Sequence, residues 1–195
     1  GRSEEKELAR TEERAQEGAV HETETASRVE SPESSPSVVE DMTRIDEGRW
    51  GSREIEITGV TFRTAQGEVS HIFQSGDPMS IHLNVRAHQA LADVVFGIGI
   101  YTADGVNCYG TNTHLEEFIP TEVHGEGDVT FSIESLDLVE GTYKLDVAVH
   151  KRDGYPYDYH RLLYTFRVKS RSKEVGIYRP RHAWTFSPNI KLTKS

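Results

Sequence analysis

Hydrophobic and polar positions follow two regimes that meet at residues 47 and 48. From Gly48 onward, short runs alternate apolar and polar residues between turn-formers, the two-residue period of strands with one buried face. Glu54–Arg63 (EIEITGVTFR) alternates around Ile55 and Ile57, and Ala65-Gln66-Gly67 then supplies a turn before a run over 68–73. Ser75-Gly76-Asp77-Pro78 breaks the chain ahead of Met79–Ala87, which alternates at Ile81, Leu83 and Val85. Val94–Thr102 (VVFGIGIYT) is apolar on both parities, as suits a central strand, and Ala103-Asp104-Gly105 turns it into Val106–Thr111. Asp128–Ile133, Thr142–His150 and Tyr159–Val168 complete the regular set, with weaker runs at Glu174–Ile177 and Ala183–Phe186. Many short strands with turns every ~8–12 residues, and no amphipathic helix, predict an all-β fold. The architecture expected is an antiparallel β-sandwich of immunoglobulin-like type, with a closed barrel as the alternative.

Before Gly48 the pattern is absent. Residues 1–47 carry 6 basic and 14 acidic side chains, so they hold −8 of the chain's net −10. All 17 aromatic residues lie between Trp50 and Phe186, which leaves the front segment without the means to build a core. It is read as an acidic flexible linker over 1–47, with some helical propensity up to about Gln16, followed by a β-sandwich over 48–187 and a tail over 188–195. The 195 residues suffice for one ordinary domain and an extension.

The domain itself carries 16 basic and 18 acidic residues, evenly mixed, and lacks the basic stripe that a phosphate backbone requires, so nucleic acid is not an expected partner. The lone Cys108 excludes an internal disulfide. Within Leu138–Val149, Tyr143 follows a Gly turn and opens an alternating strand, the pattern of a tyrosine corner whose hydroxyl ties the strand start to upstream backbone.

Catalytic signatures are scarce. Phosphate-cradling glycine loops, a Gly-x-Ser-x-Gly elbow and His-Glu-x-x-His are all missing, and Gly97-x-Gly99 lies within a strand, where absent side chains let another layer or a ligand approach. His150 and His160 face each other across a predicted hairpin with Asp153 and Asp158 nearby, but without standard ligand spacing no metal is expected. The same two aspartates are the weakest of three functional readings, a glycan hydrolase with paired carboxylates.

Two loops concentrate amphipathic aromatics and planar polar groups: Tyr101–His114 and His150–His160. Neutral polysaccharides offer C–H faces that stack on rings and hydroxyls that need donors and acceptors, and Tyr, His, Asn and Asp supply both. The candidate carbohydrate-binding residues are Tyr101, Tyr109, Asn112, His114, His150, Tyr155, Tyr157, Asp158 and His160. The tyrosine-corner pattern leaves open a fibronectin type III-like protein-interaction module without glycan affinity.

Arg49-Trp50-Gly51-Ser52, Val95–Tyr101, Tyr109-Gly110-Thr111-Asn112-Thr113, Gly141-Thr142-Tyr143 through His150, and Tyr157-Asp158 before His160, in this order and spacing, resemble the C-terminal domain of Wzt. Wzt is the ATPase subunit of bacterial ABC transporters that export O-antigen polysaccharide. The resemblance covers about Arg49 to Trp184. It implies a non-catalytic carbohydrate-binding sandwich at the cytoplasmic face of the inner membrane. Such a domain recognises the lipid-linked O-antigen near its non-reducing end and couples chain completion to export. It further implies a homodimer with an exchanged C-terminal strand, for which Glu174–Ile177 and Ala183–Phe186 are the candidates. The nucleotide-binding domain, with its ATP and Mg, is expected upstream of residue 1 and would carry the contact to the membrane permease subunit; no cofactor is expected in these residues.

Overall fold

The computed structural model describes residues 48–193, so the acidic linker expected over 1–47 and the last two residues of the tail lie outside the described residues. Nine strands occur in the order β1 (Gly48–Trp50), β2 (Ile55–Thr64), β3 (Ile72–Gln74), β4 (Met79–Leu91), β5 (Val95–Thr102), β6 (Asn107–Asn112), β7 (Val123–Ile133), β8 (Gly141–His150) and β9 (Pro156–Lys169). Among the described residues there is no helix.

The strands form two sheets. The larger runs β1-β9-β8-β5-β6, with β3 on the same edge of β9 as β1 but at its other end; the smaller runs β2-β4-β7. All pairings are antiparallel except β3 with β9. The arrangement is an antiparallel β-sandwich, as the alternation predicts, with two separate sheets instead of a closed barrel.

The inner faces follow directly from that alternation. Met79, Ile81, Leu83, Val85 and Ala87 of β4 point inward, facing Tyr143, Leu145, Val147 and Val149 of β8, and all are buried. Each fully buried Ile, Leu or Val contributes roughly 1.5–3 kcal/mol relative to exposure, so these two strands form the centre of the core. Tyr143 completes the tyrosine corner: its ring stacks on Phe166 and its hydroxyl donates to the Val139 carbonyl at 2.8 Å.

Three expected runs differ. The run over 68–73 forms only one bridge, Val69 with Arg63, before the short β3, because Ser70 folds its hydroxyl onto the Ile72 backbone. Glu174–Ile177 contains no strand; the segment is tied to the core loop by a bridge between Tyr178 and Leu138. Ala183–Phe186 is irregular and exposed, with Trp184 and Phe186 stacked on each other instead of on the core.

Candidate glycan-binding site

The outward parity of the large sheet is unusual for its small residues. Gly97 and Gly99 of β5 lie beside Ala148 and Asp146 of β8 and beside Asn112 and Gly110 of β6. With no side chain above the sheet plane at these positions, a trough of about 200 Å³ opens. Its walls are Tyr101, Asn107, Asn112, His150 and Tyr159. Gly99 lies under the Tyr101 ring: a Cβ there would sit 2.9 Å from it and 3.3 Å from the Asp146 Cβ. At Gly97 the nearest atoms are 3.7 Å or more away, so the space above it is open by choice of residue.

Register places one aromatic wall. Tyr159 pairs with Ala148 across β8–β9 and with Trp50 across β1–β9, so all three share the outward face. Trp50 and Tyr159 stack at 4.6 Å with an interplanar angle of 9°. The short β1 is held in place by Gly51, whose φ of +137° turns the chain where a Cβ would stand 2.3 Å from the Tyr157 carbonyl.

At the trough floor Asp146 is buried, with 3% exposure. Its Oδ1 accepts the Leu162 N–H at 2.6 Å, where a bulge with Leu162 at φ +54° breaks the β8–β9 ladder. Its Oδ2 is buried and makes no hydrogen bond of good geometry, although the Tyr101 and Tyr159 hydroxyls lie near enough to favour the charged form. Burial pushes the Asp146 carboxyl above the usual carboxylate range. Burial, with the Asp146 charge second, pushes Tyr159 up to about 12 and raises Tyr101 as well. Both phenols therefore remain neutral donors at physiological pH. The trough offers ring faces, hydroxyls, amides and an acceptor, a set suited to hydroxyl-rich ligands.

Of the nine sequence-predicted residues, Tyr101, Asn112 and His150 line this trough. The His150 Nδ1 lies 2.6 Å from the Lys151 carbonyl, and Asn112 uses its Oδ1 on the Leu115 N–H at 2.8 Å. His114 and Tyr155 are exposed in turns outside it; Lys151 Nζ sits 4.9 Å over the Tyr155 ring. Tyr109 faces the other side of β6, stacked against Phe131 at 6.5 Å.

Tyr157, Asp158 and His160 are corrections. All three point between the sheets and are buried, so they offer no surface for stacking. The Tyr157 hydroxyl donates to the Asp93 carbonyl at 3.0 Å. Asp158 ties the sheets together at one edge: Oδ1 accepts from Arg49 Nε (2.9 Å) and Arg53 Nη1 (2.5 Å), and Oδ2 from Arg49 Nη2 (2.7 Å) and the Ile57 N–H (2.8 Å). His160 contacts Oδ2 through Nε2 at 3.2 Å and Tyr164 through Nδ1 at 2.7 Å. Burial alone would raise the Asp158 carboxyl, but the hydrogen bonds from His160, Arg49 and Ile57 outweigh it and hold it well below the usual carboxylate range. Asp153 caps the turn by accepting the Tyr155 N–H at 2.9 Å, so it does not form a catalytic pair with the buried Asp158. His150 and His160 face opposite sides of the sheet, and no cluster of three metal-ligating side chains occurs among the described residues.

Trp50, Asn107, Asp146 and Tyr159 were not among the predicted site residues. Tyr159 was detectable from parity: in Tyr157-Asp158-Tyr159-His160 it is the outward residue once Ala148 is paired with it.

The chain is thus a two-sheet β-sandwich module with an aromatic and amide-lined trough on the outer face of its large sheet. The chain belongs to the Wzt C-terminal domain family, whose model matches residues 46–180. It is 26% identical over 134 residues to the O-antigen export system ATP-binding protein RfbB of Myxococcus xanthus; the match covers 69% of this chain and 30% of that protein. The chain thus spans about a third of the length of that curated relative. Its fold is that of the crystal structure of the C-terminal domain of Wzt, with a TM-score of 0.67 at 23% identity over 74% of this chain and 90% of that one. No helix among the described residues is long and apolar enough to cross a membrane.

Proposed function

We propose that this domain binds O-antigen polysaccharide without catalysis, at the outer trough of the large sheet, and thereby takes part in O-antigen export. The observation that carries the reading is the small-residue floor, Gly97, Gly99, Gly110 and Ala148, opened beneath the Tyr101 and Tyr159 rings. The O-antigen export system to which the Myxococcus xanthus relative belongs suggests the ligand class. In this reading the trough takes a terminal sugar of the lipid-linked glycan at the cytoplasmic face of the inner membrane, and binding is relayed to an ATP-binding domain and a permease subunit. A volume of about 200 Å³ fits a single sugar unit, consistent with recognition of a chain end.

The domain is also proposed to act as a homodimer with an exchanged C-terminal segment. Apolar clefts open between β6 and β7, lined by Phe96, Tyr109, Phe131 and Ile133, while Trp184 and Phe186 of the tail are exposed. The clefts equally suit a protein-interaction module, which predicts partner capture and no glycan affinity.

The test is an NMR titration with delipidated O-polysaccharide from the source strain. Shifts are expected at Tyr101, Asn112, His150 and Tyr159, and Trp50 fluorescence should change. Unmoved trough signals at saturating glycan overturn the reading.

A further inference from the structure

Buried carboxylates in this protein are treated in two ways. Asp158 has every lone-pair direction engaged by arginines, a backbone N–H and an imidazole. Asp146, equally buried, engages Oδ1 on the Leu162 N–H and leaves Oδ2 without a hydrogen bond of good geometry. The Leu162 N–H by itself does not require a carboxylate there. An amide would accept the same N–H through its oxygen and offer its NH2 to the two neighbouring tyrosine hydroxyls, without a buried charge. The acid is therefore a local cost that the Leu162 contact alone does not explain, and Asp146 lines the floor of the trough.

We propose that Asp146 is the specificity-determining residue of the trough: Oδ2 accepts a hydroxyl of a neutral pyranose lying over Gly97 beside the Tyr101 ring that covers Gly99, and its negative charge rejects sugars that carry a carboxylate or phosphate. Tyr101 and Tyr159 supply donors and ring faces beside it, His150 stands at the rim, and Arg161 offsets part of the charge without removing the acceptor. Uncharged hexoses and 6-deoxyhexoses thus form the ligand class, and uronic acids and phosphorylated sugars the excluded one. This rests on the glycan-binding reading above.

The experiment uses the full chain and D146N. Methyl glycosides of neutral hexoses and 6-deoxyhexoses, and of glucuronic and galacturonic acid, are compared by saturation-transfer NMR and calorimetry. The wild type is expected to bind neutral glycosides and not the uronic acids. D146N should lose about 10- to 100-fold in neutral-sugar affinity, the range for removing a hydrogen bond to a charged group. It should gain relative affinity for uronic acids, with its melting temperature unchanged or raised. Equal binding of both sugar classes by the wild type overturns the proposal without any variant. So does D146N with lowered stability and unaltered selectivity, which marks a purely structural carboxylate. If no glycoside and no O-polysaccharide binds, the glycan-binding reading itself falls, an outcome distinct from lost selectivity.

Discussion

Replacing Asp158 by Asn separates the two roles assigned to the Tyr157–His160 segment. The change keeps the shape and one acceptor, but removes the charge that Arg49 and Arg53 share and turns one oxygen into a donor aimed at Arg49, the Ile57 N–H or His160. Breaking a fully buried pair costs ~3–5 kcal/mol. Here the arginine side chains are 38% and 34% exposed and can rehydrate, which discounts their share. The misdirected donor and the weakened Ile57 and His160 contacts remain, for a loss of about 2–3 kcal/mol. In a domain of this size that lowers the melting temperature by ~5–10 °C. The pH dependence adds a second readout. Because the folded Asp158 carboxyl is held below its unfolded value near 3.8, its contribution is fully present above that value and is lost as pH falls further. Thermal unfolding followed by circular dichroism should therefore show the gap between wild type and D158N at pH 7 narrowing once the pH drops below about 4. A variant that melts with the wild type at pH 7 yet no longer binds O-polysaccharide would refute the structural assignment and return Asp158 to the binding site.

Tyr143→Phe removes the 2.8 Å bond to the Val139 carbonyl and should cost about 1–2 kcal/mol in urea unfolding, with glycan binding intact. Gly51→Ala forces a side chain onto the Tyr157 carbonyl at a φ of +137° and should displace β1, seen as loss of the Trp50–Tyr159 stacking signal in near-ultraviolet dichroism and a drop of at least ~2 kcal/mol. Gly97→Leu fills the trough from a position with room for a Cβ, so binding should vanish in calorimetry while the melting temperature moves by only a few degrees, about 1 kcal/mol or less. For Asp146 the sign is opposite to that of Asp158: a carboxyl raised by burial contributes stability below its unfolded value that is lost as pH rises through the folded one, so D146N should gain on the wild type in thermal unfolding as pH rises above about 4.

The sandwich was legible because most of its strands have one buried face. Ile81, Leu83 and Val85 read as inward and are inward, and Gly141-Thr142-Tyr143 read as a tyrosine corner and forms one. The weak runs were not legible for a physical reason. Apolar residues at 174–177 and 183–186 match the composition of strands, but a strand also needs a ladder of partners: the first segment ends on a single bridge from Tyr178 to Leu138 beside the cleft of β6 and β7, and in the second Trp184 and Phe186 stack on each other.

The candidate trough was legible in Tyr101, Asn112 and His150, and the same periodicity that revealed the fold explains why the other residues lie elsewhere. Tyr155, Tyr157, Asp158, Tyr159 and His160 form one cluster in sequence, yet a strand sends neighbours to opposite faces and a bulge at Val149/His150 shifts the pairing. Local composition therefore marks the strand but not the face. The face is fixed by partners distant in sequence: Val149 draws Asp158 inward toward Arg49 and Ile57, while Ala148 leaves Tyr159 outward against Trp50. The more informative signal was the missing side chains at Gly97 and Gly99. A central strand gains stability from β-branched residues on both faces, and this one has glycine at two successive outward positions, of which only Gly99 is covered by a neighbouring ring. Gly97 and the buried, unpaired oxygen of Asp146 are both costs to folding that meet in one trough, and a ligand seated there is what would offset them together.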